Sequence, residues 1–130
     1  MKKIVSTDQS PKAIGPYSQA VVHNSVAYLS GQIPLDPVTN QLVGGDIAVQ
    51  TERVLENIKA LLGACGASLE SVLKTTVYLK DMGDFPKMNE IYGRYFAQSP
   101  PARATVEAAR LPRDVAIEVD AIAAVTEPRP

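Results

Sequence analysis

Two charged side chains sit inside otherwise small or apolar runs, and both could do chemistry. Arg103 stands in Pro100-Pro101-Ala102-Arg103-Ala104-Thr105-Val106-Glu107, and Glu118 in Val115-Ala116-Ile117-Glu118-Val119. A guanidinium fixed at the start of a strand offers a planar fork that matches both oxygens of a carboxylate. The same residue serves equally as half of a structural ion pair with Glu107, Glu118 or Asp120. A carboxyl flanked by Ile117 and Val119 and buried with them has a raised pKa, which suits proton transfer or the orienting of a water; a nearby Arg103 pulls the other way. On an ordinary two-faced strand Glu118 is simply exposed.

Other residues are candidates on weaker grounds. Gly15-Pro16-Tyr17-Ser18 supplies a turn and then a phenol that either closes a pocket or packs with its hydroxyl at the edge. In Ser30-Gly31-Gln32, a glycine at a strand end lets the backbone approach a ligand, though turn glycines are frequent. Asn89 lies beside the apolar position Met88 and either reaches a sheet edge or faces water. His23 reads as a turn residue and Cys65 as core. With one histidine and no Ser or Cys placed beside it, a nucleophilic triad is unsupported. One histidine and one cysteine supply few ligands for zinc or haem, and no phosphate-binding glycine loop or dinucleotide fingerprint occurs. Metal sites are thus poorly supplied, so no metal is expected, and nucleotide cofactors are unsupported.

The elements that must position these residues follow from periodicity. Ile47, Val54, Ile58, Leu61, Leu62 and Cys65 predict a helix over 46–65, capped by Asp46 and ended at Gly66. Phe85, Met88, Ile91, Tyr92, Tyr95 and Phe96 predict a second over 84–98, capped by Asp84 and stopped by Pro100-Pro101. Strands are expected at 4–5, 17–23, 26–30, 73–80, 103–110 and 115–125, with a hairpin at Asn24-Ser25 and another across 111–114. Alternation puts Leu73, Thr75, Val77 and Leu79 on one face of their strand. The order β-β-β-α-β-α-β-β with helices in two blocks predicts an α+β domain: a mixed β-sheet with both helices packed on one face. Pro128 and Pro130 mark a fraying tail.

In the last strand Val115, Ile117, Val119, Ala121, Ala123 and Val125 should pack under the helices, leaving Glu118, Asp120 and Ile122 on the far face. If Ala104, Val106 and Ala108 also face the helices, Arg103 joins Glu118 on that far face. A symmetric hairpin would set Arg103 opposite Ile122, ~13 Å along from Glu118. The far face also gathers Tyr17, Val21 and Tyr28, too apolar for plain solvent, which points to association with further copies and charges at the clefts between them.

Composition bounds the rest. The 130 residues, 45% hydrophobic and 21% charged, fit one globular domain over 1–130. A formal net charge of −1 with two Phe and no Trp argues against a broad nucleic-acid face. No stretch reaches the roughly 18–20 apolar residues of a membrane span, no signal-peptide core follows the first residues, and a lone cysteine needs no oxidising compartment, so the expected location is the cytoplasm.

Ala13-Ile14-Gly15-Pro16-Tyr17-Ser18-Gln19-Ala20, Tyr28-Leu29-Ser30-Gly31-Gln32-Ile33-Pro34, and Pro101-Ala102-Arg103-Ala104-Thr105-Val106-Glu107 followed by Leu111-Pro112 and Ile117-Glu118-Val119 together resemble the motifs of the RidA (YjgF) family of reactive-intermediate deaminases, nearly end to end. The resemblance implies a chorismate-mutase-like fold and a homotrimer with three clefts between subunits. It implies hydrolysis of 2-aminoacrylate, 2-aminocrotonate and related enamine/imine acids to 2-keto acids and ammonia, without a cofactor. On the matching positions, Arg103 would clamp the substrate carboxylate and Glu118 would handle the water or the departing amine. Tyr17, Ser30, Gly31, Asn89 and the backbone N–H of Thr105 would line the cleft. Many members carry cysteine where this chain has Thr105; the backbone contact survives that change. Two other readings accompany the resemblance: a non-catalytic module that binds or senses a 2-keto acid, and an endoribonuclease or translation inhibitor, as some members have been described.

Overall fold

The computed structural model describes residues 1–126; Pro128 and Pro130 lie outside the described residues. The chain runs β1 (Lys3–Val5), β2 (Ala20–His23), β3 (Val26–Gln32), α1 (Ile47–Ala64), β4 (Val72–Leu79), α2 (Phe85–Tyr95), β5 (Ala102–Glu107) and β6 (Ile117–Ala124), in the expected order. Asn24 and Ser25 both take positive φ, 51° and 62°, the turn whose twist suits a two-residue hairpin, and they join β2 to β3.

α1 forms because apolar residues recur every three or four positions from Ile47 to Leu62, placing Val54, Leu55, Ile58, Leu61 and Leu62 fully inside. Burying each contributes about 1.5–3 kcal/mol. The Asp46 side chain accepts from the Val49 N–H as its cap, and Gly66 follows the helix with φ +77°, a conformation that glycine adopts without penalty. α2 is shorter than its pattern suggested, ending at Tyr95 rather than at 98. Asp84 does not cap it through its side chain. A 3-10 turn, Met82–Asp84, leads into the helix instead, and Asp81 accepts the Gly83 N–H at 2.8 Å.

The six strands lie in the order β1-β2-β3-β6-β4-β5. β6 is antiparallel to both β3 and β4, and β4 pairs with β5 in parallel. Both helices are therefore crossovers between parallel strands, β3-α1-β4 and β4-α2-β5, and both cover one face. This is the α+β arrangement expected, with one correction of consequence. β5 and β6 do not form a hairpin: the 111–114 segment carries the chain from the sheet's edge, past β4, to its centre. β5 suits an edge, since its side chains are at best half-buried, whereas every second residue of β6 from Ile117 to Ala123 is buried.

A register shift between Val72 and Lys74 turns Val72 into the core and leaves Leu73 51% exposed, against the simple alternation expected there. The far face carries exposed Tyr28 and Val106 and half-buried Ile122. Among the described residues no helix is long and apolar enough to cross a membrane.

Candidate active site

The candidate residues fall into two groups on opposite faces of the sheet. Arg103 is the register partner of Thr75, whose hydroxyl is buried against the Tyr92 hydroxyl of α2 at 2.7 Å. Arg103 thus faces the helices, contrary to the far-face expectation. Its guanidinium carbon stands 4.7 Å from the Tyr92 ring centre and 5.5 Å from that of Phe85, and Nη1 donates to Asn89 Oδ1 at 2.9 Å. Phe85, Asn89 and Tyr92, at spacings of four and three, form the α2 face that receives it. Stacking and one hydrogen bond orient the group, while its remaining N–H donors stay available to an anion. Burial, set against the Thr75 hydrogen bond and the Arg103 charge, raises the Tyr92 phenol's pKa.

Thr105 follows on the same face. Ala108 N–H bonds to Leu79 O at 2.8 Å, and a parallel strand alternates the direction of successive N–H groups. The N–H groups of Arg103 and Thr105 therefore point away from β4, toward the sheet's open edge. Arg103, Asn89 and Thr105 thus form one half of the candidate site.

The other half surrounds Glu118. The ladder between β3 and β6 shifts register between Leu29 and Gln32, at Ser30-Gly31. A bulge re-aims the backbone, and here it brings Gly31 against Glu118. A β-carbon on Gly31 would collide with Glu118 Oε2 and lie 2.9 Å from the carboxyl carbon. The glycine is needed for space, not for an unusual φ. Ser30 Oγ donates to Ser18 O at 2.6 Å, and Ser30 N–H to Gln19 O at 2.9 Å, tying the bulge to the segment that carries Tyr17. The Tyr17 hydroxyl accepts the Ile14 N–H at 3.3 Å.

Tyr17, Ser30, Gly31 and Glu118 line one cavity of about 500 Å³, together with Lys12, Ile14, Ile33 and Arg113. Burial, with a smaller contribution from the Asp120 charge, raises the Glu118 pKa above its ordinary value. Asp120 accepts from the Tyr78 hydroxyl at 3.1 Å, which keeps a second carboxylate fixed on the same face.

Arg103 and Glu118 are not a pair within one chain. Arg103 partners Thr75 and Glu118 partners Tyr78, three residues apart along the intervening β4. Strand spacing and rise put their Cα atoms roughly 14 Å apart, with side chains on opposite faces. Sequence reasoning missed Phe85, Tyr92, Lys12 and Arg113. The signal for the first two was an asparagine inside the stripe of α2, which marks a face that touches something polar. Lys12 and Arg113 carried none, because only the fold brings their loops together.

A family model described as Endoribonuclease L-PSP matches residues 7–125. A RutC family protein of Pyrococcus horikoshii is 58% identical over 123 residues, covering 95% of this chain and 98% of that one. The chain belongs to the RidA (YjgF) family. Within the RidA family, a mouse protein named 2-iminobutanoate/2-iminopropanoate deaminase is 47% identical, covering 95% of this chain and 91% of its own. Escherichia coli TdcF, solved with bound serine, superposes with a TM-score of 0.90 at 41% identity, covering 95% and 99%. The RidA fold is thus the one described above, helices on one face included.

Proposed function

We propose that this chain hydrolyses short 2-imino acids and their enamine tautomers, of the 2-aminoacrylate and 2-aminocrotonate type, to 2-keto acids and ammonia. The observation that carries the reading is the division of labour between the two half-sites: a stacked, Asn89-bound guanidinium with donors to spare, and a half-buried carboxyl with a raised pKa beside a glycine. The first suits a carboxylate, the second a proton in transit. The name of the mouse relative supports the same reaction.

Because the halves face away from each other, the reaction is assigned to clefts between copies of the chain, in which the Glu118 cavity of one copy receives the Arg103 half-site of the next. The partly apolar far face, with Tyr28, Ile122 and Val106, is the surface available for that association. A homotrimer with three such clefts is the assembly proposed.

In the cleft, Arg103 takes both carboxylate oxygens and holds the C=N carbon near Glu118. Water adds to C2 as its proton passes to the Glu118 carboxylate. Glu118 delivers that proton to nitrogen, giving the aminocarbinol. It then takes the carbinol hydroxyl proton and passes it to the amine as the C–N bond breaks, so that ammonia leaves and the keto group forms. The backbone N–H of Thr105, on the open edge, adds a donor to the bound acid. General acid–base catalysis of this kind contributes typically ~10²–10⁴-fold, and the chain's residues suffice for it without a cofactor.

The test is a coupled assay. A serine or threonine dehydratase generates the imine, semicarbazide traps what persists, and wild type is compared with Arg103→Ala. Suppression of trapping by wild type alone is the expected result. If neither protein affects trapping while 2-oxobutyrate still binds, the site is a keto-acid-binding module.

A further inference from the structure

The cavity beside Glu118, about 500 Å³ in a single chain, is the one that receives the neighbouring copy's Arg103 half-site in the cleft proposed above. Two of its lining residues, Lys12 and Arg113, are cations that come from segments remote in sequence. The proposed reaction uses neither. Of the described residues, Glu118 is the only carboxylate lining the cavity with them. Among the described residues, no carboxylate lies within ion-pairing distance of Lys12 or Arg113.

Both cations are exposed side chains carried on loops whose backbones are anchored. The carbonyl of Pro11, next to Lys12, accepts the buried Gln19 amide at 2.7 Å. Arg113 and Asp114 take consecutive left-handed backbone conformations, φ 54° and 58°, in which a β-carbon is disfavoured. The loop is nonetheless fixed: Leu111 and Val115 are buried on either side, and Arg110 Nε donates to Asp114 Oδ1 at 2.9 Å. A strained backbone that is pinned on both flanks and brings an unpaired cation to a cavity is the pattern expected of a ligand contact.

We propose that Lys12 and Arg113 form a second anion subsite, which extends the cleft's range from short monocarboxylic acids to dicarboxylic 2-imino and 2-keto acids. The inference rests on the function proposed above. Arg103 of a neighbouring copy takes the carboxylate next to the reacting carbon, the apolar wall at Ile14 and Ile33 accommodates the methylenes, and the distal carboxylate meets the two cations. Those donors also distinguish a second acidic group from an apolar chain of the same length.

The experiment measures, by titration calorimetry, the affinities of 2-oxoglutarate and 2-oxobutyrate for wild type, Lys12→Gln, Arg113→Gln and the double variant. Arg113→Asn is included because asparagine tolerates the left-handed backbone. Wild type is expected to bind 2-oxoglutarate more tightly, and the ratio of the two affinities to fall about tenfold or more in the double variant. The same ratio should fall in kcat/KM for imines formed in situ by an amino-acid oxidase from glutamate and from 2-aminobutyrate. Equal losses for both acids, or a wild-type preference for 2-oxobutyrate, would overturn the subsite. Discrimination in binding without turnover of either imine would leave the subsite standing and remove the deaminase reading. Binding of neither acid would remove both.

Discussion

Arg103 and Glu118 project from opposite faces of one sheet, with β4 between their strands. Neither can reach the other's ligand inside a single chain, so two defective chains should repair each other. Arg103→Ala and Glu118→Gln are each expected to be inactive alone. After mixing under conditions of subunit exchange, a ring with random composition pairs an intact Arg103 with an intact Glu118 at about one quarter of its clefts. Recovery of deaminase activity toward that fraction, measured by the trapping assay, is the expected outcome. No recovery, with mixed oligomers shown by native mass spectrometry, would place both groups of the site in one chain.

Gly31 tests the other half-site. An alanine there must displace the Glu118 carboxyl, because the added carbon lands on it. Gly31→Ala should lower kcat by ~10²-fold or more, the scale of losing an acid–base group. Binding of 2-oxobutyrate and the thermal transition should change far less than kcat. A kcat within twofold of wild type would show that Glu118 does not need its place at the bulge.

Glu118 also sets an expectation for pH. Burial favours its neutral form in the folded chain, with the Asp120 charge adding to this. Its contribution to stability is then full below the ordinary value of 4.5 and is lost as pH rises through the higher folded value. Glu118→Gln should therefore be more stable than wild type at neutral pH, with the difference vanishing in acid; urea midpoints across that range measure it. The acid limb of kcat/KM should lie above pH 4.5 in wild type. In Asp120→Asn, without the neighbouring charge, it should move down.

Asn89 is a positioning residue, acting through Arg103. Asn89→Ala removes the hydrogen bond from Arg103 Nη1 that orients the guanidinium and leaves its stacking on Tyr92. The expected effect is a rise of about three- to tenfold in KM, worth the ~0.5–1.5 kcal/mol of a neutral-partner hydrogen bond, with kcat less affected. Arg103→Lys should lose more, since a point charge replaces the fork.

Asn57 tests the core. It is fully buried in α1, and its Nδ2 donates to Leu35 O at 2.9 Å. Asn57→Ala leaves that carbonyl without its donor and should cost about 1–3 kcal/mol in denaturant unfolding.

How far the sequence carried can be seen strand by strand. The helices were legible because Val54, Ile58, Leu61 and Leu62, and Met88, Ile91 and Tyr92, fall on single faces whatever the tertiary context. So was the inward set of β6, since a period of two cannot hide Ile117, Val119, Ala121 and Ala123. Pairing was not legible. The short 111–114 connection between two strand-like runs fits a hairpin equally well, and only competition for the central position, won by the strand that is more deeply buried, sends β6 past β4. That choice also decides which way Arg103 faces. The motifs could therefore be read one by one along the chain, while the distribution of their residues over two faces of the sheet could not.

The order of the strands bears on how the protein is made. β6 lies between β3 and β4, yet it comes after both, and after β5, in the sequence. Until residues through 124 have emerged from the ribosome, the sheet can form only as two unjoined pieces, β1-β2-β3 and β4-β5, each lacking its β6 neighbour along one long edge. A translation complex stalled after β5 should hold the chain open to proteases and chaperones, and closure of the whole sheet should coincide with emergence of its central strand.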